Sequence, residues 1–228
     1  MLAALSNTLP SMRIAVFGTG MVGTTIGSKL VSLGHEVRMG SRRADNEKGK
    51  AWLAQVGSER ASLGDYASAA AFGELAFNCT AGVASLEALA AAGADALADK
   101  LLLDIANPLD FSKGMPPRLS VCNDDSLGEQ IQRAFPRTKV VKTLNTVNCN
   151  VMVDPARIPG AHAMFMAGND TEAKARVHGI LTEWFGWQQI IDLGDISASR
   201  GTESYLPLWI RLWGALKTPD FNVALVKA

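Results

Sequence analysis

Short runs rich in Val, Ile and Leu alternate along most of the chain with longer segments whose apolar residues recur every three or four positions. Arg13 to Phe17 is such a run, ends in glycines and predicts a buried parallel strand. From Gly23 to Leu33 the apolar positions Ile26, Leu30 and Leu33 have helical spacing, and Gly34 is placed to stop that helix. Glu36 to Met39 predicts a second strand and Ala44 to Val56 a polar helix. Further strands are predicted at Glu74 to Cys79, Lys100 to Ile105, Lys139 to Asn145, His162 to Ala167 and Gln188 to Leu193. Helices are predicted over Ala84 to Ala98, Ser126 to Phe135 and Thr171 to Phe185, and a Pro- and Gly-rich loop over Asp110 to Asn123. Strands that alternate with helices imply an α/β fold, doubly wound on a mainly parallel sheet with right-handed crossovers. The tail differs. Ser204 to Leu216 is apolar nearly all round, with Trp209 and Trp213 at helical spacing, and predicts a buried helix in a small helical C-terminal addition. A dimer contact or a wall of the active site are further roles open to it.

Composition narrows the function. Hydrophobic residues at 48% supply a real core. The 22 Lys and Arg match the 22 Asp and Glu, so no overall field draws the chain to nucleic acid or an anionic membrane. No run of 18 uncharged apolar residues predicts a membrane span. Met1 to Met12 has no basic leader pattern, and residues 1–11 read as an N-terminal extension. Three widely spaced cysteines, Cys79, Cys122 and Cys149, fit neither a disulfide framework nor a metal cluster and point to a reducing, cytoplasmic setting. His35, His162 and His178 show no metal-ligand spacing, so no metal site is expected.

The chemistry-bearing motif is Gly18-Thr19-Gly20-Met21-Val22-Gly23, which follows a predicted strand and opens a predicted helix. That is the Rossmann dinucleotide context: Gly18 for the tight turn, Gly20 for backbone approach to a pyrophosphate, and Gly23 for close helix packing. The second strand ends in Gly40-Ser41-Arg42-Arg43. An NAD site places a carboxylate near there; Gly40 takes that position, and a hydroxyl with two guanidinium groups suits a 2′-phosphate. Lys48 is a weaker candidate for the same phosphate. Ligands of such sheets sit at strand carboxyl ends, where this chain places Cys79-Thr80-Ala81, Asn107-Pro108 and Asn145-Thr146-Val147. Asn107-Pro108 reads equally well as a rigid turn, and Cys79 as a small core residue. No catalytic residue stands out. Tyr205 and Lys142 are the proton donors to test if the reaction needs one. Residues 12–148 form the expected NADP-binding domain, and 149–228 complete the sheet and a second-substrate pocket.

These residues, with the tail Ser197-Ala198-Ser199-Arg200 and Glu203-Ser204-Tyr205-Leu206-Pro207-Leu208, resemble the coenzyme F420-dependent NADP oxidoreductase family. The resemblance implies a homodimer that moves hydride between NADP(H) and a deazaflavin. It implies that Thr19, Ser41, Arg42 and Arg43 hold NADP, with Thr146-Val147 beside the nicotinamide. Archaeal members often have a longer glycine loop and a histidine where this chain has Asn145. The asparagine is similar to the NADPH-binding domain of STEAP-type metalloreductases, which pass hydride to a flavin. The small-molecule acceptor is thus expected to be coenzyme F420 or a flavin. An NADPH-dependent carbonyl or imine reductase and a non-catalytic NADPH sensor stay open beside it.

Overall fold

The computed structural model describes residues 11–227; the N-terminal extension lies almost wholly outside them. The strands run β1 (Arg13–Phe17), β2 (Glu36–Ser41), β3 (Ala61–Asp65), β4 (Leu75–Asn78), β5 (Leu101–Asp104), β6 (Leu109–Asp110), β7 (Arg118–Leu119), β8 (Lys139–Thr143), β9 (Ala163–Gly168) and β10 (Gln189–Asp192). Eight of them form one sheet in the order β10-β9-β8-β5-β4-β1-β2-β3, while β6 and β7 make a small antiparallel ribbon. Every sheet pairing is parallel except β8 with β9. The order reverses at β1, between β2 and β4, which is where a doubly wound sheet opens a ligand crevice. The α/β Rossmann expectation holds.

The helices are α1 (Met21–Ser32), α2 (Glu47–Val56), α3 (Tyr66–Phe72), α4 (Ser85–Ala92), α5 (Ala94–Leu97), α6 (Leu127–Ala134), α7 (Cys149–Val153), α8 (Thr171–Gly179), α9 (Ser199–Ser204) and α10 (Leu206–Leu216). Two apolar clusters cover the sheet faces. In the first, a side chain at Gly27 would lie 3.0 Å from the Trp52 ring and 3.1 Å from Met39, so glycine lets α1 approach β2 and α2.

Several elements depart from the pattern. The pair β3–α3 was not predicted, because Ala61-Ser62-Leu63-Gly64-Asp65 is a short edge strand with a glycine inside it. The helix predicted over Ala84 to Ala98 is two helices, broken at Gly93 with φ +93°. The predicted loop after Asp110 contains the β6–β7 ribbon. The tail is not one buried helix. It breaks at Tyr205, and α10 buries only Leu206 and Ile210, leaving Leu208, Trp213 and Leu216 exposed at 55%, 43% and 53%. One stripe of α10 packs inward while the rest faces out.

The C-terminal helices are tied to the sheet by an ionic knot. Lys142, 1% exposed, places Nζ 2.6 Å from Asp104 Oδ2 and 2.8 Å from Glu203 Oε1, and donates to the Ala106 carbonyl at 2.7 Å. Glu203 also accepts from the Leu127 and Gly128 amides at 2.8 and 3.0 Å, capping α6. A side chain at Gly128 would meet Ser199 Oγ at 2.6 Å, so this approach requires glycine. Burial pulls the Lys142 pKa down, but the two carboxylates outweigh it and the net shift is upward. Lys142→Met therefore leaves two buried carboxylates facing each other. It is expected to lower unfolding free energy by about 3–5 kcal/mol, read as a drop in the urea midpoint; an unchanged midpoint would show the knot to be dispensable.

Candidate active site: a two-chambered cleft at the strand ends

The glycine loop leaves β1 through a left-handed turn. Gly18 has φ +111° and donates its amide to the Gly40 carbonyl at 2.9 Å, and a Cβ there would stand 2.6 Å from the Cys79 carbonyl oxygen. At Gly23 a Cβ would collide with the Gly18 carbonyl, which is the close packing expected of it. Gly20 is different: a Cβ would meet nothing within 4 Å. It is the N-cap of α1, has no side chain to cap the helix, and no acidic residue lies in the first turn. The first-turn amides are therefore available to a phosphate, with the positive end of the helix behind them.

On one side of this loop lies a cavity of about 580 Å³, lined by Gly18, Thr19, Gly20, Ser41, Arg42 and Lys48, among others. Arg43 does not line it. Its guanidinium reaches Asp45 through two 3.2 Å hydrogen bonds, and that partner raises its pKa. The Ser41 hydroxyl donates to the Arg43 carbonyl at 2.6 Å and accepts from Asn46 Nδ2 at 2.8 Å, so it shapes the turn that presents Arg42. Asp65, Tyr66 and Glu87 also line this cavity. They were missed with β3–α3 or read as ordinary helix surface. Tyr66 packs edge-on against Phe17 at 6.1 Å, and burial raises its pKa.

Cys79-Thr80-Ala81, at the end of β4, borders this chamber and a second one. Burial first, and then the charge of Asp104, push the Cys79 thiol up, which removes it as a nucleophile. The Thr80 hydroxyl donates to Asn78 Oδ1 at 2.7 Å and shares a 2.7 Å hydrogen bond with Ser85.

The second chamber, about 740 Å³, is walled by Met21, Val22, Phe111, Leu206, Trp209 and Trp213, with Asn107, Asn145 and Val147 at its floor. The two asparagines clasp each other. Asn107 Nδ2 donates to the Asn145 carbonyl at 2.8 Å, and Asn145 Nδ2 donates to Asn107 Oδ1 at 2.9 Å. The clasp holds a turn in which buried Leu144 has φ +63°, a strained value for a residue with a side chain. Thr146 is buried and its hydroxyl has no hydrogen-bond partner among the described residues; Pro108 backs against Gly82, where a Cβ would lie 2.9 Å from Pro108 Cα. Neither lines a chamber. Lys142 is sealed in its knot, and Tyr205, whose hydroxyl is buried without a partner, does not line the chamber either. Among the described residues no Lys, Arg, His or Tyr lines the second chamber. Trp209 and Trp213 line this chamber, a role the sequence left open for the tail, whereas Phe111 had no motif to mark it.

The family described as NADP oxidoreductase, coenzyme F420-dependent, matches residues 13–108. The chain is 52% identical to a candidate F420-dependent NADP reductase from Arthrobacter sp. FB24, with a TM-score of 0.90 over 95% of this chain and 100% of that one. It belongs to the F420-dependent NADP oxidoreductase family. More distant folds include a protein of unassigned function from Sinorhizobium meliloti (18% identity, TM-score 0.61, 83% of this chain and 88% of that one). The reductive aminase of Aspergillus terreus, seen in complex with NADPH, is 19% identical with a TM-score of 0.63, over 91% of this chain and 63% of that one. As a family member the protein is an NADP(H)-dependent oxidoreductase. Among the described residues no helix is long and apolar enough to cross a membrane, and no group of three or more His, Cys, Asp or Glu is placed to hold a metal ion.

The glycines separate binding from stability. Gly20→Ala has open space and is expected to stay within roughly 1 kcal/mol of wild type while NADPH affinity, read by fluorescence titration, falls at least about tenfold because the methyl occupies the phosphate approach. Gly23→Ala is expected to cost about 1–3 kcal/mol of stability through overpacking. Equal NADPH affinity in Gly20→Ala would refute this placement of the pyrophosphate.

Proposed function

We propose that the protein transfers hydride between NADP(H) and a deazaflavin or flavin in the cytoplasm. The observation that carries this reading is the pair of chambers joined at Cys79-Thr80-Ala81, one with cationic side chains and one largely apolar, with no Lys, Arg, His or Tyr in its lining among the described residues. Arg42 and Lys48 would bind the 2′-phosphate, Gly18 to Gly23 the pyrophosphate, and Thr80, Ala81 and the Asn107–Asn145 floor would border the nicotinamide. Ser41 acts by holding the turn, and Arg43 joins only by leaving Asp45. Residues 12–148 supply the nucleotide half, and 149–228 add Met152, Leu206, Trp209 and Trp213 to the second chamber. When bound, the dinucleotide supplies or accepts the hydride. The protein's own part is to align two flat rings between apolar walls and keep water from them. A ring that delocalises the added electron pair needs no protein acid, whereas a carbonyl becomes an alkoxide that does. The name of the Arthrobacter relative points the same way. The reading includes a homodimer, for which the exposed face of α10 supplies an apolar surface.

NADPH oxidation with coenzyme F420, FMN, FAD and simple ketones tests this. Turnover with a deazaflavin or flavin and none with ketones is expected; the reverse would refute it. In the Arg42→Ala/Lys48→Ala double variant, the kcat/KM preference for NADPH over NADH is expected to fall at least about tenfold, the loss of one charge-assisted hydrogen bond. Arg43→Ala should change it little. A larger effect from Arg43 than from the pair would reassign the phosphate site.

A further inference from the structure

We propose that the second chamber also accepts cationic hydride acceptors, namely cyclic iminium ions, and that the protein reduces them to amines with NADPH as reductant. The inference rests on the reading above only for where the dinucleotide lies.

The first reason is charge. Asp110 is the one charged residue in the chamber's lining among the described residues. Its side chain is only 26% exposed, and its carboxylate accepts from the Ser112 amide at 2.8 Å and from Arg118 at 3.0 Å. Those bonds hold its pKa down to about 2, so it is ionised wherever the protein works. Arg118 draws off part of that charge from outside the lining, but no cation faces the chamber itself. The cations of the cleft, Arg42 and Lys48, lie in the other chamber.

The second reason is the walls. Trp209 and Trp213 stand 5.7 Å apart at 42°, and Phe111 lies in the same lining. Indole faces attract a flat cation and also stack on an aromatic ring.

The third is the proton. Hydride added to an iminium carbon forms one C–H bond. The C=N π pair becomes a lone pair on nitrogen, and a neutral amine and NADP+ result. No proton leaves the protein in that step. A ketone of the same shape would need one, and the lining offers no His, Lys or Tyr to give it, while Asp110 is already deprotonated.

Three ring-matched measurements test the proposal on the full chain. N-methyl dihydroisoquinolinium, a fixed cation, is expected to oxidise NADPH, and β-tetralone, its uncharged ketone counterpart, to be at least 100-fold slower. Asp110→Asn is expected to lower kcat/KM for the cation about tenfold more than for the ketone or a deazaflavin. Tryptophan fluorescence in the presence of NADP+ gives a readout apart from turnover and from any folding defect of the variant. Wild type should bind the N-methyl tetrahydroisoquinolinium ion, which the neutral product amine becomes on taking a proton from water, at least tenfold more tightly than neutral β-tetralol. Equal binding of the two, or a ketone reduced as fast as the iminium, overturns the inference. Coenzyme F420 and FMN run in parallel separate the two readings: turnover with either but not with the iminium sinks only this proposal, and turnover with the iminium alone sinks the deazaflavin reading instead.

Discussion

A single buried ammonium group organises the carboxyl edge of this sheet. Lys142 Nζ sits between Asp104 and Glu203, all three at most 2% exposed by side chain. Burying three charges is costly unless each finds a partner. Here the second carboxylate is met by two α6 amides and the positive end of that helix. The knot therefore fixes β5, β8, α6 and α9 relative to one another, although α9 alone is too short to dock by apolar contact.

The knot also reaches the cleft through hydrogen bonds. Lys142 holds the Ala106 carbonyl, which sets the residue before Asn107, and Asn107 clasps Asn145. Asp104 Oδ1 accepts from Asn78 Nδ2 at 2.8 Å, and Asn78 Oδ1 receives Thr80. The floor of the second chamber and the partition between the chambers are thus both one or two hydrogen bonds from the same lysine. Lys142 itself lines neither chamber, so it reaches the cleft only through these bonds.

How much of this was readable in the chain follows from the range of each interaction. The alternation of strands and helices, the glycine loop and the Arg42 turn are local patterns, and the predicted strands stand close to where the residues placed them, although the Ala84 to Ala98 helix breaks at Gly93. The β3–α3 pair escaped because an edge strand needs neither a continuous apolar run nor clean alternation. Asp65, Tyr66 and their wall of the first chamber went with it. Arg42 and Arg43 are indistinguishable in sequence; only the folded turn shows that Asp45, two residues on, captures Arg43 while Arg42 lines the chamber. The apolar tail misled for a related reason. A helix apolar all round predicts burial only when something covers every face, and the described residues cover just the Leu206–Ile210 stripe.

The division of charge across the cleft bears most directly on function. Cofactor choice needs strong, directional electrostatics, and Arg42, just past the end of β2, and Lys48, in the first turn of α2, can supply it because both are exposed and their own desolvation is small. Putting similar cations in the apolar chamber would cost far more, and they would then hold whatever anion arrived, reactive or not. An aromatic box whose lining, among the described residues, has no Lys, Arg, His or Tyr and a single carboxylate, Asp110, avoids that cost. Under the proposed reading it leaves selection to the acceptor's own chemistry: a molecule would be reduced there if it can take a hydride and carry the resulting electron pair without a proton from the wall. That no catalytic residue stands out in the sequence is compatible with the hydride-transfer site proposed, where alignment of two rings would replace a protein acid.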